Sequence, residues 1–300
     1  MTAACKQTYL RQSGFTLIEA VMVIAITGII AAMVAVFLKS PIDSYFDSVR
    51  RAELTDVADT AVRRISRDIH LALPNSVRNP ADGSDQCVEF IPTKIGGRYR
   101  AAAEAAGGDI LDFTAVDDKF DMLWPNAGLP AANQIAAGDV VVVYNDGTLS
   151  GDAYTGVNAV QVASVVAGGT ANTSGLALVD ASTAVPFNRK QLPSESPANR
   201  FQIIPSGEHV VAYACSGGVL HRYSRQLTGT WTQPASCGAM VAGANVARLA
   251  QHVTTCSLKY EPPGSGTGLG RSGIVSISLA MTQAGESVKL YTQVHVDNTP

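Results

Sequence analysis

The chain has 300 residues, 46% hydrophobic and 16% charged, with 27 glycines and few aromatics. That balance excludes a disordered chain, which would be poor in apolar residues and rich in charge. The length suits one large domain with an appendage. A formal net charge of −3 and the lack of a Lys/Arg-rich face argue against a nucleic acid partner.

The first element is the most informative. Residues 1–14 hold Lys6 and Arg11 and no carboxylate, leaving 20 basic and 25 acidic side chains downstream. The amino-terminal end is therefore the basic end, as expected of a segment that stays cytoplasmic. Residues 15–38, FTLIEAVMVIAITGIIAAMVAVFL, carry one charge, Glu19. As a helix they would span roughly 36 Å, enough to cross a hydrocarbon core of about 30 Å. A cleaved secretory signal has a shorter apolar run, with its small-residue site after it. Here the small pair, Ser13-Gly14, comes before the run. A plain signal anchor gives no reason for Glu19, since an ionisable group inside a span costs several kcal/mol and implies a partner.

The string Ser13-Gly14-Phe15-Thr16-Leu17-Ile18-Glu19 resembles the processing motif of type IV prepilins and type II secretion pseudopilins. The resemblance implies a leader over 1–14, cut by a dedicated inner-membrane prepilin peptidase between Gly14 and Phe15. It also implies methylation of the new amino terminus to N-methylphenylalanine. Gly14 would give the peptidase a backbone free of side chain. Glu19 would be an assembly residue, pairing in the apolar filament core with the positive amino terminus of a neighbouring subunit. Such a desolvated pair sets register more than it adds stability.

After the span comes Lys39-Ser-Pro41, where Pro41 either bends one long helix or opens a second at its first turn. Leu54, Val57, Ala58, Ala61, Val62, Ile65 and Ile69 then recur at helical spacing, ending before Pro74. Arg50, Arg51, Asp56, Arg63, Arg64, Arg67 and Asp68 occupy the other face, which reads as solvated. Strands are expected at 87–91, 139–144, 160–166, 176–179, 200–204, 209–215, 218–224, 274–281 and 288–296. The pair 209–215 and 218–224 reads as a hairpin across Ser216-Gly217, and Asn145-Asp-Gly147 is a turn. Residues 96–108 and 261–270 read as loops. The stretch 109–197 is longer than a small head needs and reads as an inserted subdomain. The fold class is α+β: a long amino-terminal helix, half transmembrane and half amphipathic, packed on a mainly antiparallel sheet head over 39–300.

Leu71-Ala-Leu-Pro-Asn-Ser-Val-Arg78, Gly96-Gly-Arg-Tyr-Arg100 and Gln293-Val-His-Val-Asp-Asn-Thr-Pro300 resemble the O-type minor pilins of mannose-sensitive haemagglutinin (MSHA) pilus biogenesis. The J-type pseudopilins of type II secretion are a related alternative, and a tip adhesin or binding module is a third from another class. The resemblance implies a periplasmic head, anchorage in the inner membrane, and other minor and major pilins as partners.

Cys5 lies in the leader; Cys87, Cys215, Cys237 and Cys256 lie downstream, an even number that suits two disulfides in an oxidising compartment. The favoured pairs are Cys215–Cys237, closing a loop around the region of Trp231, and Cys87–Cys256, tying the first strand to a late one. His70, His209, His221, His252 and His295 lack zinc-like spacing. No nucleophile elbow appears, and the glycines from 264 to 270 miss the dinucleotide spacing. Asp82-Gly-Ser-Asp85 lacks the spacing of a calcium loop. No enzymatic activity, cofactor or metal is expected.

Overall fold

The computed structural model describes residues 14–103, 107–149, 151–170, 172–179, 187–188, 191–229, 231–264 and 272–300. The chain divides into two compact units, Met1–Ala52 and Glu53–Pro300. Helix α1, Leu17–His70, contains Pro41 and continues through it. The sequence left open whether a second helix starts there, and it does not.

In the first unit, every residue from 14 to 46 is exposed. In the second, α1 turns an apolar stripe inward: Leu54, Ala58, Ala61, Val62, Ile65 and Ile69 are all buried. Helical spacing sets the stripe, and packing supplies the stability that propensity alone does not.

Thirteen strands are found among the described residues: β1 Cys87–Phe90, β2 Ile95–Arg98, β3 Lys119–Met122, β4 Val140–Val143, β5 Ala159–Ala167, β6 Ser174–Leu178, β7 Arg200–Ile204, β8 Val210–Ser216, β9 Val219–Arg225, β10 Asn245–Ala250, β11 Val253–Glu261, β12 Ser272–Gln283 and β13 Glu286–Asp297. A short helix α2, Cys237–Val241, is capped by Ser236, whose side chain accepts the Ala239 N–H. Every strand pairing is antiparallel. The architecture is thus α+β, with a long amino-terminal helix followed by antiparallel sheets.

The strands form three sheets, ordered β1-β8-β9-β10, β11-β12-β13 and β2-β7-β4-β5-β6-β3. The first two enclose one core with the α1 stripe, where Val88, Phe90, Val211, Tyr213, Leu258, Val275, Ile277 and Leu279 join the helix residues. The six-stranded sheet closes on itself. Its end strands meet through the Tyr99–Met122 bridge, with Arg100 N–H donating to Asp121 O and Leu123 N–H to Arg98 O, both at 2.9 Å. Tyr99, Phe120, Val141, Val160, Leu176 and Phe201 fill its separate core.

Ile95–Arg98 is a strand, although its glycines read as loop. Gly97 lies against Phe201, whose ring atom Cζ would be 2.5 Å from an added Cβ, so the bare backbone is what lets β2 pair with β7. Strands β3, β10 and β11 lie outside the expected set: β3 is only four residues long and β10 lacks strict alternation, whereas the alternation Cys256-Ser-Leu-Lys-Tyr-Glu261 in β11 is legible in the sequence. The β8–β9 hairpin turns one residue later than expected, through Gly217 and Gly218 rather than Ser216 and Gly217, because both glycines take the positive φ that a type I′ turn requires. The expected loop at 261–270 lies outside the described residues from 265 onward, as does the leader with Cys5.

The disulfide pairing differs from the expectation. The bonds are Cys87–Cys237 and Cys215–Cys256. Register explains why. Cys87 stands opposite Ala214, so Cys215, one residue on, points to the other face of the sheet. Cys87 packs with Ala212, Ala214 and Met240 beneath α2, where Cys237 is to hand. Cys215 faces the helix-side core, where Cys256 on β11 lies.

Asp68 is a second correction, since its side chain is only 14% exposed. It accepts from Tyr213 Oη at 2.7 Å and from Arg222 Nε at 3.0 Å, while Arg222 also grips Glu208 through both terminal nitrogens at 2.8 and 2.7 Å. This network ties the end of α1 to β8 and β9. The guanidinium holds the Glu208 carboxyl below its ordinary value, while burial and then the Asp68 carboxylate push the Tyr213 hydroxyl up.

Unreduced peptide mapping should recover Cys87–Cys237 and Cys215–Cys256, and on chain-entropy grounds removing the first pair should cost about 5 kcal/mol and removing the second about 4 kcal/mol. Arg222→Ala should lower the unfolding free energy by about 2 kcal/mol in urea titrations, because the largely buried Asp68 carboxylate keeps only the Tyr213 hydroxyl and a distant Arg67 at 3.9 Å. The Glu208 contribution is fully present above the ordinary glutamate value of 4.5 and is lost as pH falls through its depressed folded value. Between 4.5 and that depressed value the native protein should lose stability with falling pH more steeply than the Arg222→Ala variant.

Candidate functional site

Three sequence-predicted residues meet at the start of α1. Gly14, Phe15 and Thr16 precede the helix in extended or irregular backbone, and Leu17 begins it. The first N–H groups of a helix have no intrahelical acceptor. Thr16 supplies one: its carbonyl accepts from Glu19 N–H at 3.1 Å and Ala20 N–H at 3.2 Å, and its hydroxyl accepts from Glu19 N–H at 3.3 Å. Thr16-Leu-Ile-Glu19 thus has the spacing of a capping box, and a carboxylate in the first turn is favoured by the helix dipole. The role of Thr16 is legible from that spacing.

The surroundings of these residues are bare. An added Cβ on Gly14 would meet nothing within 4 Å, so folding does not demand glycine there. Phe15 is 77% exposed. The Glu19 carboxylate is exposed and has no ion-pair or hydrogen-bond partner among the described residues. From Glu19 the helix runs on through Val21, Met22, Val23, Ile24 and Ile26 to Leu38, all exposed. A contiguous apolar surface of this size marks a membrane or protein contact, and the helix is long and apolar enough to cross a membrane. Packing within the single chain thus places no demand for glycine at 14.

The four downstream cysteines are brought together in pairs and serve structure. The histidines remain dispersed. His209 is buried, its Nδ1 accepting from Leu227 N–H at 3.0 Å, and burial pushes its pKa down. Among the described residues, no group of three or more His, Cys, Asp or Glu is placed to hold a metal ion.

Residues 9–35 match the prokaryotic N-terminal methylation motif. The match supports a type IV pilin family, pilin or pseudopilin, and implies processing by a prepilin peptidase and assembly as a pilin. Together with the apolar helix it fits membrane anchoring. No curated protein and no solved structure matched the chain.

Because nothing packs on these residues, Gly14→Leu, Phe15→Ala and Glu19→Gln should each leave the thermal unfolding midpoint of the detergent-solubilised chain unchanged within error, equivalent to less than about 0.5 kcal/mol.

Proposed function

We propose that this chain is a minor pilin: cut between Gly14 and Phe15, N-methylated on Phe15, held in the inner membrane with its head in the periplasm, and built into the tip or initiating complex of an MSHA-like type IV pilus. The observation that carries the reading is the coincidence, in one helix, of the methylation motif, a capped start bearing an unpartnered carboxylate, and an apolar surface with nothing on it.

Cutting after Gly14 creates a positive amino group just before the helix. In a bundle of such helices, Glu19 of one subunit neutralises the amino terminus of the next. An ion left unpaired in hydrocarbon costs several kcal/mol, so the pair selects one axial register between neighbours. Cleavage must precede pairing, because before it Phe15 carries a peptide nitrogen without charge.

The head argues for a minor role. It carries the six-stranded sheet between Ile95 and Ile204, with its own core, beside the sheets around α1. We read that sheet as an inserted subdomain, somewhat larger than the 109–197 stretch that composition suggested. A head this bulky is hard to repeat densely along a fibre.

In the native host, Gly14→Leu should leave the chain at precursor mobility. Glu19→Ala should be processed normally yet fail to enter filaments, with at least tenfold less subunit in sheared fibres. Deletion should abolish or sharply reduce surface pili while secretion continues. Loss of secretion with intact pili would instead assign the chain to a type II secretion pseudopilus, and normal incorporation of Glu19→Ala would refute the pairing role.

A further inference from the structure

The outer face of the six-stranded sheet carries two opposed arginines. β2 and β7 pair so that Arg98 stands directly opposite Arg200, and Gly96 opposite Gln202. Both arginines are exposed, and among the described residues neither side chain has an ion-pair or hydrogen-bond partner. Like charges directly opposite on a strand pair are destabilising, and here no counter-charge offsets the repulsion.

Two clefts, each of about 340 Å³, share Gly96, Gly97, Arg98 and Phe201 in their lining, and Arg200 lines the second alone. One runs from Arg98 over Gly96 and Gly97 to Leu123 and Trp124; the other lies between Arg98 and Arg200. Among the described residues, no carboxylate lines either cleft. Trp124 is 58% exposed, with no hydrogen bond on its indole N–H among the described residues. Gly97 is explained by Phe201 beneath it, but Gly96 is not: its only near neighbour is the Phe201 carbonyl at 3.5 Å. A glycine inside a strand weakens it, and one without a packing reason marks a place where a ligand can approach the backbone.

We propose that this face binds a short acidic saccharide. Its carboxylate or sulfate sits between Arg98 and Arg200, and a sugar ring lies over Gly96 against the indole of Trp124. The planar guanidinium fork matches two oxygens of either anion. The indole offers a flat apolar surface with a polar edge, which suits the C–H face of a pyranose. A nucleic acid is the poorer fit. Polyanion affinity grows with the number of phosphates neutralised, and this patch offers two cations on a chain of net charge −3.

The test is calorimetric titration of the full-length chain in detergent micelles. The probes are a short oligogalacturonate, a sulfated dextran oligosaccharide, a neutral dextran oligosaccharide and a single-stranded oligonucleotide. Saturable binding of the uronate or the sulfated probe is expected, and preference between them identifies the anion. Arg98→Ala and Arg200→Ala should each weaken it about tenfold, the worth of a charge-assisted contact. Trp124→Ala should weaken it severalfold. These side chains are exposed, so unchanged thermal midpoints will show that the variants fold. The proposal fails if neither acidic probe binds, or if the neutral dextran binds equally well. It also fails if the Arg98→Ala/Arg200→Ala double variant binds as well as the native chain, or if the oligonucleotide binds more tightly than both saccharides through the same arginines.

Discussion

The stripe Leu54, Ala58, Ala61, Val62, Ile65 and Ile69 is the surface on which the head is assembled. Residues of β1, β8, β11, β12 and β13 converge on it to make one core. Its composition matters as much as its spacing. Ala58 and Ala61 have almost no exposed surface, and their small side chains let the strands come close, while Ile65 and Ile69 fill the space between. Fully burying such a branched side chain is worth about 1.5–3 kcal/mol. The polar network of Asp68, Arg222, Glu208 and Tyr213 then fixes where along the strands the helix stops.

Because the first sheet has one face on that core, its other face must be covered by something else. Glu89 lies there with no exposed surface, 2.7 Å from Arg78, 2.6 Å from Arg225 and 3.2 Å from the Trp231 indole nitrogen. Burying a lone carboxylate would cost several kcal/mol, and these three donors offset the cost. The guanidinium groups lie over rings in turn, Arg78 on Tyr154 at 3.5 Å and Arg225 on Trp231 at 3.6 Å. Arg225 also donates to the Met240 carbonyl of α2. The segment after β9 is thereby held against the sheet, with the Cys87–Cys237 bond at its far end. One disulfide thus serves each face.

The amino-terminal half of α1 follows the opposite logic. Its side chains are as apolar as those of the core, yet none is buried within the chain. In water such a surface would be unstable; in a membrane or in a bundle of like helices it is the contact surface. Thr16 stabilises the start of the helix without neighbours, so the capped end forms with no contact from elsewhere in the chain.

The sequence by itself determined the elements whose signal is local. The apolar run after Gly14, the stripe from Leu54 to Ile69, the β8–β9 turn and the alternation in β13 are all readable, because each depends on the period of one segment. What it left to tertiary structure depends on pairs distant along the chain. Strand β2 is extended because Phe201 lies under Gly97, and Asp68 is shielded because Arg222 arrives from β9. The cysteine pairing shows the limit most clearly. Spacing favoured Cys215–Cys237 and Cys87–Cys256, but the register of β1 against β8 turns Cys87 and Cys215 to opposite faces. A one-residue offset between two strands distant along the chain, with Cys87 against Ala214, is invisible to either strand alone, and it exchanged the partners of both bonds.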